Sequence, residues 1–200
     1  MVRLYGIVWK AGRMGRLTAD DWAKAALDAL VEGGLAAVAV EAVAARLGVS
    51  KGSFYWHFAN RQALVAAALA LWESRTEQVI AELETIEDPG ARMRALLELA
   101  FADPADAAIS FRLISAADDP FVAGVARRVS TRRLEVMQAA LEELGQPAPT
   151  ARDRVVAGYS SYLGIAALTR IGVVEAAPRD VVAQALAEMG VDPPEITSSR

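Results

Sequence analysis

The sequence contains no cysteine and only one histidine among its 200 residues. Without cysteine there can be no disulfide and no thiolate metal site, and a lone histidine has no second imidazole with which to hold a metal. A G-x-S-x-G elbow and the glycine-rich phosphate loops are also missing, so the sequence predicts no enzyme, no metal and no cofactor. No segment alternates apolar and polar residues between turn dipeptides, so we predict no strands.

Long hydrophobic runs are missing as well. The longest uncharged and mostly apolar run, residues 155–169, includes two tyrosines and two serines, whereas a membrane span needs about 20 predominantly apolar residues. Residues 1–17 have no apolar stretch followed by a small-residue cleavage site, so no signal peptide is expected. We predict a protein without membrane contact and, because cysteine is absent, one suited to the reducing cytoplasm.

The charges that are present are unevenly distributed. Residues 1–61 hold eight Lys/Arg and five Asp/Glu, whereas residues 62–200 hold thirteen Arg and twenty Asp/Glu. A basic end on an acidic body is expected when that end meets phosphate. The basic residues within 1–17 admit two interpretations, a frayed terminus or an arm that contacts phosphate.

Helix-start and helix-stop signals divide the chain into helices. Thr18 with Asp21 is a capping box in its Asp version, and glycines at 33–34 end the first helix. Three Asp-Pro pairs, at 88–89, 103–104 and 119–120, place an N-cap before a first-turn proline. Asp106, three residues after the second of these caps, and Thr150 with Asp153 add capping-box-like pairs. The sequence predicts an all-α fold with helices near 18–33, 40–47, 50–58, 61–86, 89–101, 104–116, 120–144, 151–174 and 179–189.

The segment from 40 to 61 predicts a helix-turn-helix, because two short helices flank a tight glycine turn. At 100° per residue, Phe54 and Phe58 share the face that packs inward, and Tyr55 and Trp56 lie around the opposite side. Two exposed large aromatics are unfavourable for a protein without a partner. The major groove of DNA offers such a partner, with thymine methyls for the rings and phosphates for the hydroxyl.

The run Ala44–Phe58 (AARLGVSKGSFYWHF) resembles the signature of TetR-type bacterial regulators. The resemblance extends over roughly residues 18–68 and includes the Gly-Gly before the motif and Asn60-Arg61-Gln62-Ala63-Leu64 after it. It implies an N-terminal three-helix DNA-binding domain and a larger C-terminal helical domain that dimerises and binds a small molecule. Val40 departs from the hydroxyl residue that the family often has there, so Val40 is left out of the predicted site. Ala63 replaces a common acidic residue, so the N-cap at 60 lacks a capping box.

The resemblance also implies which side chains contact DNA. The start of the recognition helix would lie near bases and phosphate, Trp56 would lean on a base or sugar, and the remaining polar groups would contact phosphate. Arg61 starts a helix, where the dipole disfavours a cation unless a phosphate is present. For His57, a structural or surface role is the alternative to a phosphate hydrogen bond. The predicted DNA-binding residues are Ser50, Lys51, Gly52, Ser53, Tyr55, Trp56, His57 and Arg61.

The C-terminal part suggests an interface and a pocket. The helix near 151–174 is apolar nearly all round and the last helix carries one apolar stripe, so they would either form a four-helix dimer interface or fill the monomer core. The predicted interface residues are Val155, Tyr159, Tyr162, Leu163, Ala166, Val182, Leu186 and Met189. The predicted pocket residues, which could equally be ordinary core, are Trp72, Met93, Leu97, Phe101, Phe111, Arg112, Met137, Tyr159 and Tyr162.

The patterns and the resemblance together predict four segments: a basic arm (1–17), a helix-turn-helix domain (18–63), an effector-binding and dimerisation domain (64–190) and a disordered tail (191–200). The function that the resemblance implies is that of a homodimeric repressor that binds double-stranded DNA at a palindromic operator. A small, largely apolar effector would release it. The alternative is a helical ligand- or protein-binding module without DNA, whose contacts would lack a steep salt dependence.

Overall fold

The computed structural model describes residues 17–102, 104–175 and 180–191. Within these residues the chain is helical and contains no strand, which confirms the predicted all-α class. The basic positions 3, 10, 13 and 16, the N-cap position 103 and the tail beyond 191 lie outside the described residues. The helices are α1 (Ala19–Gly33), α2 (Val40–Arg46), α3 (Lys51–Phe54), α4 (Arg61–Glu84), α5 (Pro89–Ala102), α6 (Pro104–Ser115), α7 (Pro120–Glu143), α8 (Ala148–Arg170) and α9 (Val181–Glu188), with a 3-10 turn at Leu35–Ala37 between α1 and α2.

Several predicted caps are present in the structure. The Thr18 amide donates to Asp21 Oδ2 over 2.9 Å, and the Asp21 amide donates to Thr18 Oγ1 over 3.3 Å, which completes the capping box of α1. Asn60 accepts from the Ala63 amide at the start of α4. Asp88 and Asp119 accept from amides in the first turns of α5 and α7. Each bond satisfies an amide that the helix itself leaves without an acceptor.

One predicted helix start and one predicted capping residue are wrong. α8 begins at Ala148, one turn before the predicted start, because Pro149 suits the first turn of a helix. Thr150 therefore lies inside the helix and does not cap it. Asp106 is not a solvent-facing cap residue either, because it is buried and paired with Arg133.

The third helix is shorter than the predicted 50–58. α3 ends at Phe54, and the chain continues as hydrogen-bonded turns in which the Phe58 amide donates to the Phe54 carbonyl. Ser50 occupies the N-cap position, but its hydroxyl accepts no capping hydrogen bond.

Two apolar clusters hold the helices together. The first contains Trp22, Phe54 and Leu64 from the N-terminal helices together with Ile109 and Val122 from α6 and α7. The helix-turn-helix is therefore packed on the body and does not hang from a linker. The second cluster joins α5, α7, α8 and α9, and it includes Val191, which the sequence assigned to the tail.

α6 also meets the N-terminal domain through a polar contact. Arg112 Nη2 donates to the carbonyl oxygen of Glu32, in the last turn of α1, over 2.6 Å. A cation at that position suits the negative end of the α1 dipole. The bond connects the body directly to the first helix of the DNA-binding domain.

No helix among the described residues is both long enough and apolar enough to cross a membrane.

Candidate nucleic-acid interface and ligand cavity

The turn between α2 and α3 sets the direction of the recognition helix. Gly48 has a φ of 69°, a left-handed conformation that glycine adopts without steric cost. The Val49 amide returns to the Ala44 carbonyl over 3.0 Å and closes the end of α2. Phe54 then anchors α3, because it is fully buried and its ring meets Trp22 edge-to-face at 5.5 Å.

The face opposite Phe54 exposes large aromatic side chains. Tyr55 is 60% exposed and Trp56 is 80% exposed. A soluble protein seldom leaves a tyrosine and a tryptophan side by side in water unless they contact a partner. The geometry that the helical periodicity predicted for this segment is therefore present in the structure.

The start of α3 carries small and cationic groups on the same exposed surface. Ser50 and Gly52 are exposed, and a methyl group added at Gly52 would meet only Ser50 Oγ at 3.7 Å. The fold thus has room for alanine at 52, so the protein's own packing does not require glycine there. Lys51 pairs with Glu41 on α2, and this hydrogen bond raises the pKa of Lys51 and lowers that of Glu41. A phosphate at Lys51 would compete with Glu41.

Arg61 makes contacts that the sequence did not suggest. Its Nε donates to the carbonyl oxygen of Val38 over 2.7 Å, and its Nη2 donates to that of Leu35. These bonds tie the first residue of α4 to the segment that leads into α2. Arg61 therefore positions the helix-turn-helix relative to α4, whether or not it also contacts phosphate.

His57 and Ser53 are half-buried at the edge of this surface. The imidazole lies near Trp22, with ring centroids 6.5 Å apart. In the described part of the chain, no group of three or more acidic or histidine side chains is arranged to hold a metal ion.

A cavity of about 80 Å³ lies in the body between α4, α5, α6, α7 and α8, and Met189 contributes from the residue after α9. This volume is several times the roughly 10–15 Å³ that one water needs. Most of the lining is aliphatic or aromatic, as is usual for small-molecule sites. The lining residues are Thr76, Val79, Ile80, Leu83, Leu96, Leu97, Leu99, Ala100, Phe101, Asp106, Arg133, Met137, Gly158, Tyr159, Tyr162 and Met189.

The polar end of the cavity is a buried ion pair. Asp106 is 4% exposed, and its Oδ2 lies 2.8 Å from Arg133 Nη1. Asp106 also accepts from Trp72 Nε1 over 3.2 Å and from the Tyr162 hydroxyl over 2.9 Å. Arg133 donates in addition to the hydroxyls of Ser110 and Thr76, over 3.1 and 3.2 Å.

This network determines the charge of the groups at the cavity. Burial alone would raise the pKa of Asp106, but the charge of Arg133 and the hydrogen bonds from Arg133, Trp72 and Tyr162 outweigh it and hold that pKa below its usual value. Burial and the neighbouring carboxylate raise the pKa of Tyr162 well above its ordinary range. The site therefore contains one carboxylate, one guanidinium and a neutral phenol at neutral pH.

The structure brings together only part of the predicted pocket set. The residues of that set that line the cavity are Leu97, Phe101, Met137, Tyr159 and Tyr162. Trp72 does not line the cavity but donates a hydrogen bond to Asp106, which does, and Met93 is buried in the second apolar cluster. Phe111 is half-buried away from the lining, and Arg112 contacts α1 instead.

The predicted interface residues divide between the interior and the surface of the single chain. Val155, Tyr162, Leu186 and Met189 are buried in the monomer. Four others are partly exposed: Tyr159, Leu163, Ala166 and Val182. Other uncharged positions of α8 and α9 are exposed, among them Val156, Ala157, Ser160, Gly164, Leu168, Ala183 and Ala187.

The pocket predicted from the sequence did not include Thr76, Asp106 or Arg133. Arg133 is one of four arginines in α7 and has no local mark that separates it from the exposed Arg128. Asp106 carried a signal that was assigned to capping, namely an acid three residues after an expected N-cap.

The fold and the exposed recognition surface define a class: a helix-turn-helix DNA-binding protein with a helical body that contains a cavity. Residues 23–68 match the family described as "Bacterial regulatory proteins, tetR family". Residues 23–68 therefore carry a helix-turn-helix DNA-binding domain of the kind found in TetR-type transcriptional regulators. No curated protein sequence matches it.

Solved structures share the fold over most of the chain. A transcriptional regulator from Rhodococcus sp. Rha1 superposes with a TM-score of 0.71 at 24% identity, over 87% of this chain and 95% of that one. A regulator from Saccharomonospora viridis in complex with choline gives 0.69 at 16% identity, over 86% and 93%. The regulator FadR from Bacillus subtilis in complex with stearoyl-CoA gives 0.61 at 15% identity, over 86% and 95%.

Proposed function

We propose that the protein is a homodimeric repressor that binds a palindromic operator and leaves it when a small, largely apolar effector occupies the cavity. The exposed pair Tyr55 and Trp56, presented by a helix whose other side is anchored by Phe54, carries the proposal. The proposed DNA contacts are Ser50, Lys51, Gly52, Ser53, Tyr55, Trp56, His57 and Arg61.

The cavity and α6 support the effector step. Asp106, which lines the cavity, and Arg112, which contacts α1, both belong to α6 and lie less than two turns apart. An effector that favours a different position of α6 would move the contact between Arg112 and the Glu32 carbonyl, and with it α1. The similar structures that contain choline and stearoyl-CoA support binding of small molecules by this fold. The effector can weaken DNA binding by at most the difference between its binding free energies for the two arrangements of the protein.

The open faces of α8 and α9 support the dimer. Val156, Ala157, Ser160 and Gly164 form a stripe of small and apolar side chains along α8 that the monomer leaves uncovered. Paired with a two-fold mate, α8 and α9 would build a four-helix interface. The two recognition helices of such a dimer would lie about one DNA turn apart, roughly 34–36 Å, so that they reach successive major grooves.

Fluorescence polarisation on DNA from upstream of the protein's own gene tests the DNA step. We expect the affinity to fall steeply as salt rises, since neutralised phosphates release counterions. Trp56→Ala should weaken binding, whereas Phe121→Ala, which also removes an exposed aromatic side chain, should not. Unchanged affinity for Trp56→Ala, or weak salt dependence, would contradict the proposed contacts.

Sedimentation equilibrium tests the dimer. Ala157→Arg places a long cation on the proposed interface and should shift the protein to monomer, whereas Ala139→Arg, at an exposed position of α7, should leave the dimer intact. A dimer that tolerates Ala157→Arg would place the interface elsewhere.

A further inference from the structure

We infer that the cavity binds an uncharged molecule that is mostly apolar and carries a hydrogen-bond acceptor, which Tyr159 would meet. The inference rests on the proposed effector function and goes beyond it by naming the charge of the ligand. It follows from how the hydrogen bonds of the buried ion pair and of Tyr159 are distributed.

The charged side chains of the cavity lining are already paired. Among the described residues of the lining, only Asp106 and Arg133 are charged, and they neutralise each other at 2.8 Å. A charged ligand would leave water for an apolar cavity in which neither ion is available as a counterion. Unpaired charges are costly to bury. A neutral ligand avoids this cost.

The terminal nitrogens of Arg133 are already fully hydrogen-bonded. Each terminal nitrogen of Arg133 has two acceptors: Nη1 contacts Asp106 and Ser110, and Nη2 contacts Asp106 and Thr76. The hydrogens of both terminal nitrogens are therefore used within the protein. A ligand carboxylate could bind these nitrogens only by displacing Asp106 or the hydroxyls, and that exchange would break bonds that are already made.

The hydroxyl of Tyr159 can keep one hydrogen for a ligand. Tyr159 lines the cavity, and its hydroxyl lies 3.1 Å from Ser130 Oγ. One hydrogen bond between two hydroxyls uses one of their two hydrogens. With Ser130 donating to Tyr159, the phenol can donate its own hydrogen to a carbonyl, ether or hydroxyl oxygen of a ligand. The aliphatic lining, with Phe101 at one side, would cover the rest of the molecule.

Calorimetric titration of the full-length protein with three eight-carbon probes tests the inference. The probes are 2-octanone, octanoate and octylammonium, which share a chain and differ in charge. We expect the ketone to bind at least about tenfold more tightly than either ion, because only the ions must be buried without a counterion. Equal or tighter binding of either ion, or no binding of the ketone, would overturn the inference.

Two variants sharpen the test. Tyr159→Phe should lower the affinity for the ketone roughly three- to tenfold, the loss expected for one hydrogen bond. Unchanged affinity for the ketone would overturn the proposed hydrogen bond from Tyr159. Asp106→Asn leaves Arg133 without its counterion, so this variant should gain affinity for octanoate relative to the ketone if it folds. Should Asp106→Asn fail to fold, the ranking of the probes on the wild-type protein still decides. DNA binding without any ligand is measured separately, so failure here would leave the proposed DNA function standing.

Discussion

Replacing Asp106 by asparagine removes a negative charge from the interior while nearly preserving size. In the native protein this carboxylate accepts hydrogen bonds from Arg133, Trp72 and Tyr162. Asparagine cannot neutralise the guanidinium of Arg133, whose side chain is only 14% exposed. Breaking a buried pair on one side costs about 3–5 kcal/mol, because the remaining charge stays buried. For a chain of this size that corresponds to a fall in Tm of about 10 °C.

Urea denaturation followed by circular dichroism measures the loss. Glu73→Gln is the matched control, because Glu73 pairs with Arg128 across α4 and α7 at the surface. An exposed pair is worth about 0–1 kcal/mol, so the control should stay near the wild-type midpoint. Adding Arg133→Met to Asp106→Asn removes both charges and keeps an acceptor for Trp72 and Tyr162, so this double variant should recover much of the loss. A single Asp106→Asn variant no less stable than the control would refute the buried ion pair.

The same pair predicts how stability depends on pH. The folded pKa of Asp106 lies below its ordinary value of 3.8. Its stabilisation is therefore complete above the unfolded pKa and is lost as the pH falls below about 4 towards the folded pKa. Between pH 7 and pH 3, wild-type protein should lose stability that the variant with Asp106→Asn and Arg133→Met, which has no ionisable group at position 106, does not lose in this range.

Three further predictions concern the DNA-binding surface. Gly52→Ala should leave the protein at least as stable, because the added methyl group has room and alanine favours a helix. The same change should weaken DNA binding if the duplex backbone comes close to position 52. Unchanged DNA affinity would show that the backbone does not come close. Glu41→Gln should free Lys51 from its partner. The slope of the logarithm of the DNA-binding constant against the logarithm of the salt concentration should then steepen by up to about 0.9, the value for one more neutralised phosphate. An identical slope would mean that Lys51 does not reach phosphate. Arg61→Lys keeps the charge but loses the guanidinium that donates to two carbonyl oxygens. The DNA affinity of this variant should therefore fall nearly as far as that of Arg61→Gln. If the lysine variant kept the full DNA affinity, Arg61 would act through phosphate alone.

The recognition surface could be predicted because its determinants are local. Gly48 supplies the left-handed turn, and Phe54 lies on the inward face by helical periodicity alone. With that face assigned, Tyr55 and Trp56 had to lie outside. The caps at Thr18, Asn60, Asp88 and Asp119 form for the same reason, because each bond spans only two or three residues.

The polar end of the cavity could not be predicted in this way. Asp106 and Arg133 are 27 residues apart, and nothing in the neighbourhood of either marks the other. Asp106 near a helix start looked like a capping residue, and Arg133 looked like any arginine of a charged helix. Only the packing of α6 against α7 and α8 removes both from water and makes their pairing obligatory.

α8 shows the same division between local and long-range information. Its sequence is apolar on nearly every side, so burial was predictable but the partner of each face was not. Packing within the single chain buries Val155 and Tyr162 and leaves Ala157 and Ser160 exposed. Similarly, Arg61 at a helix start suggested phosphate, whereas the folded chain supplies carbonyl acceptors from residues 35 and 38.

By itself, the amino-acid sequence determined the helices, most of their ends and the outward face of the recognition helix, because these depend on hydrogen bonds and side-chain periodicity within a few residues. Tertiary structure decided which charges meet in the interior, where the cavity opens and which face of α8 remains uncovered. These features arise from contacts between helices that are distant in sequence, and the free energy of burying a group depends on every neighbour that the completed fold places around it.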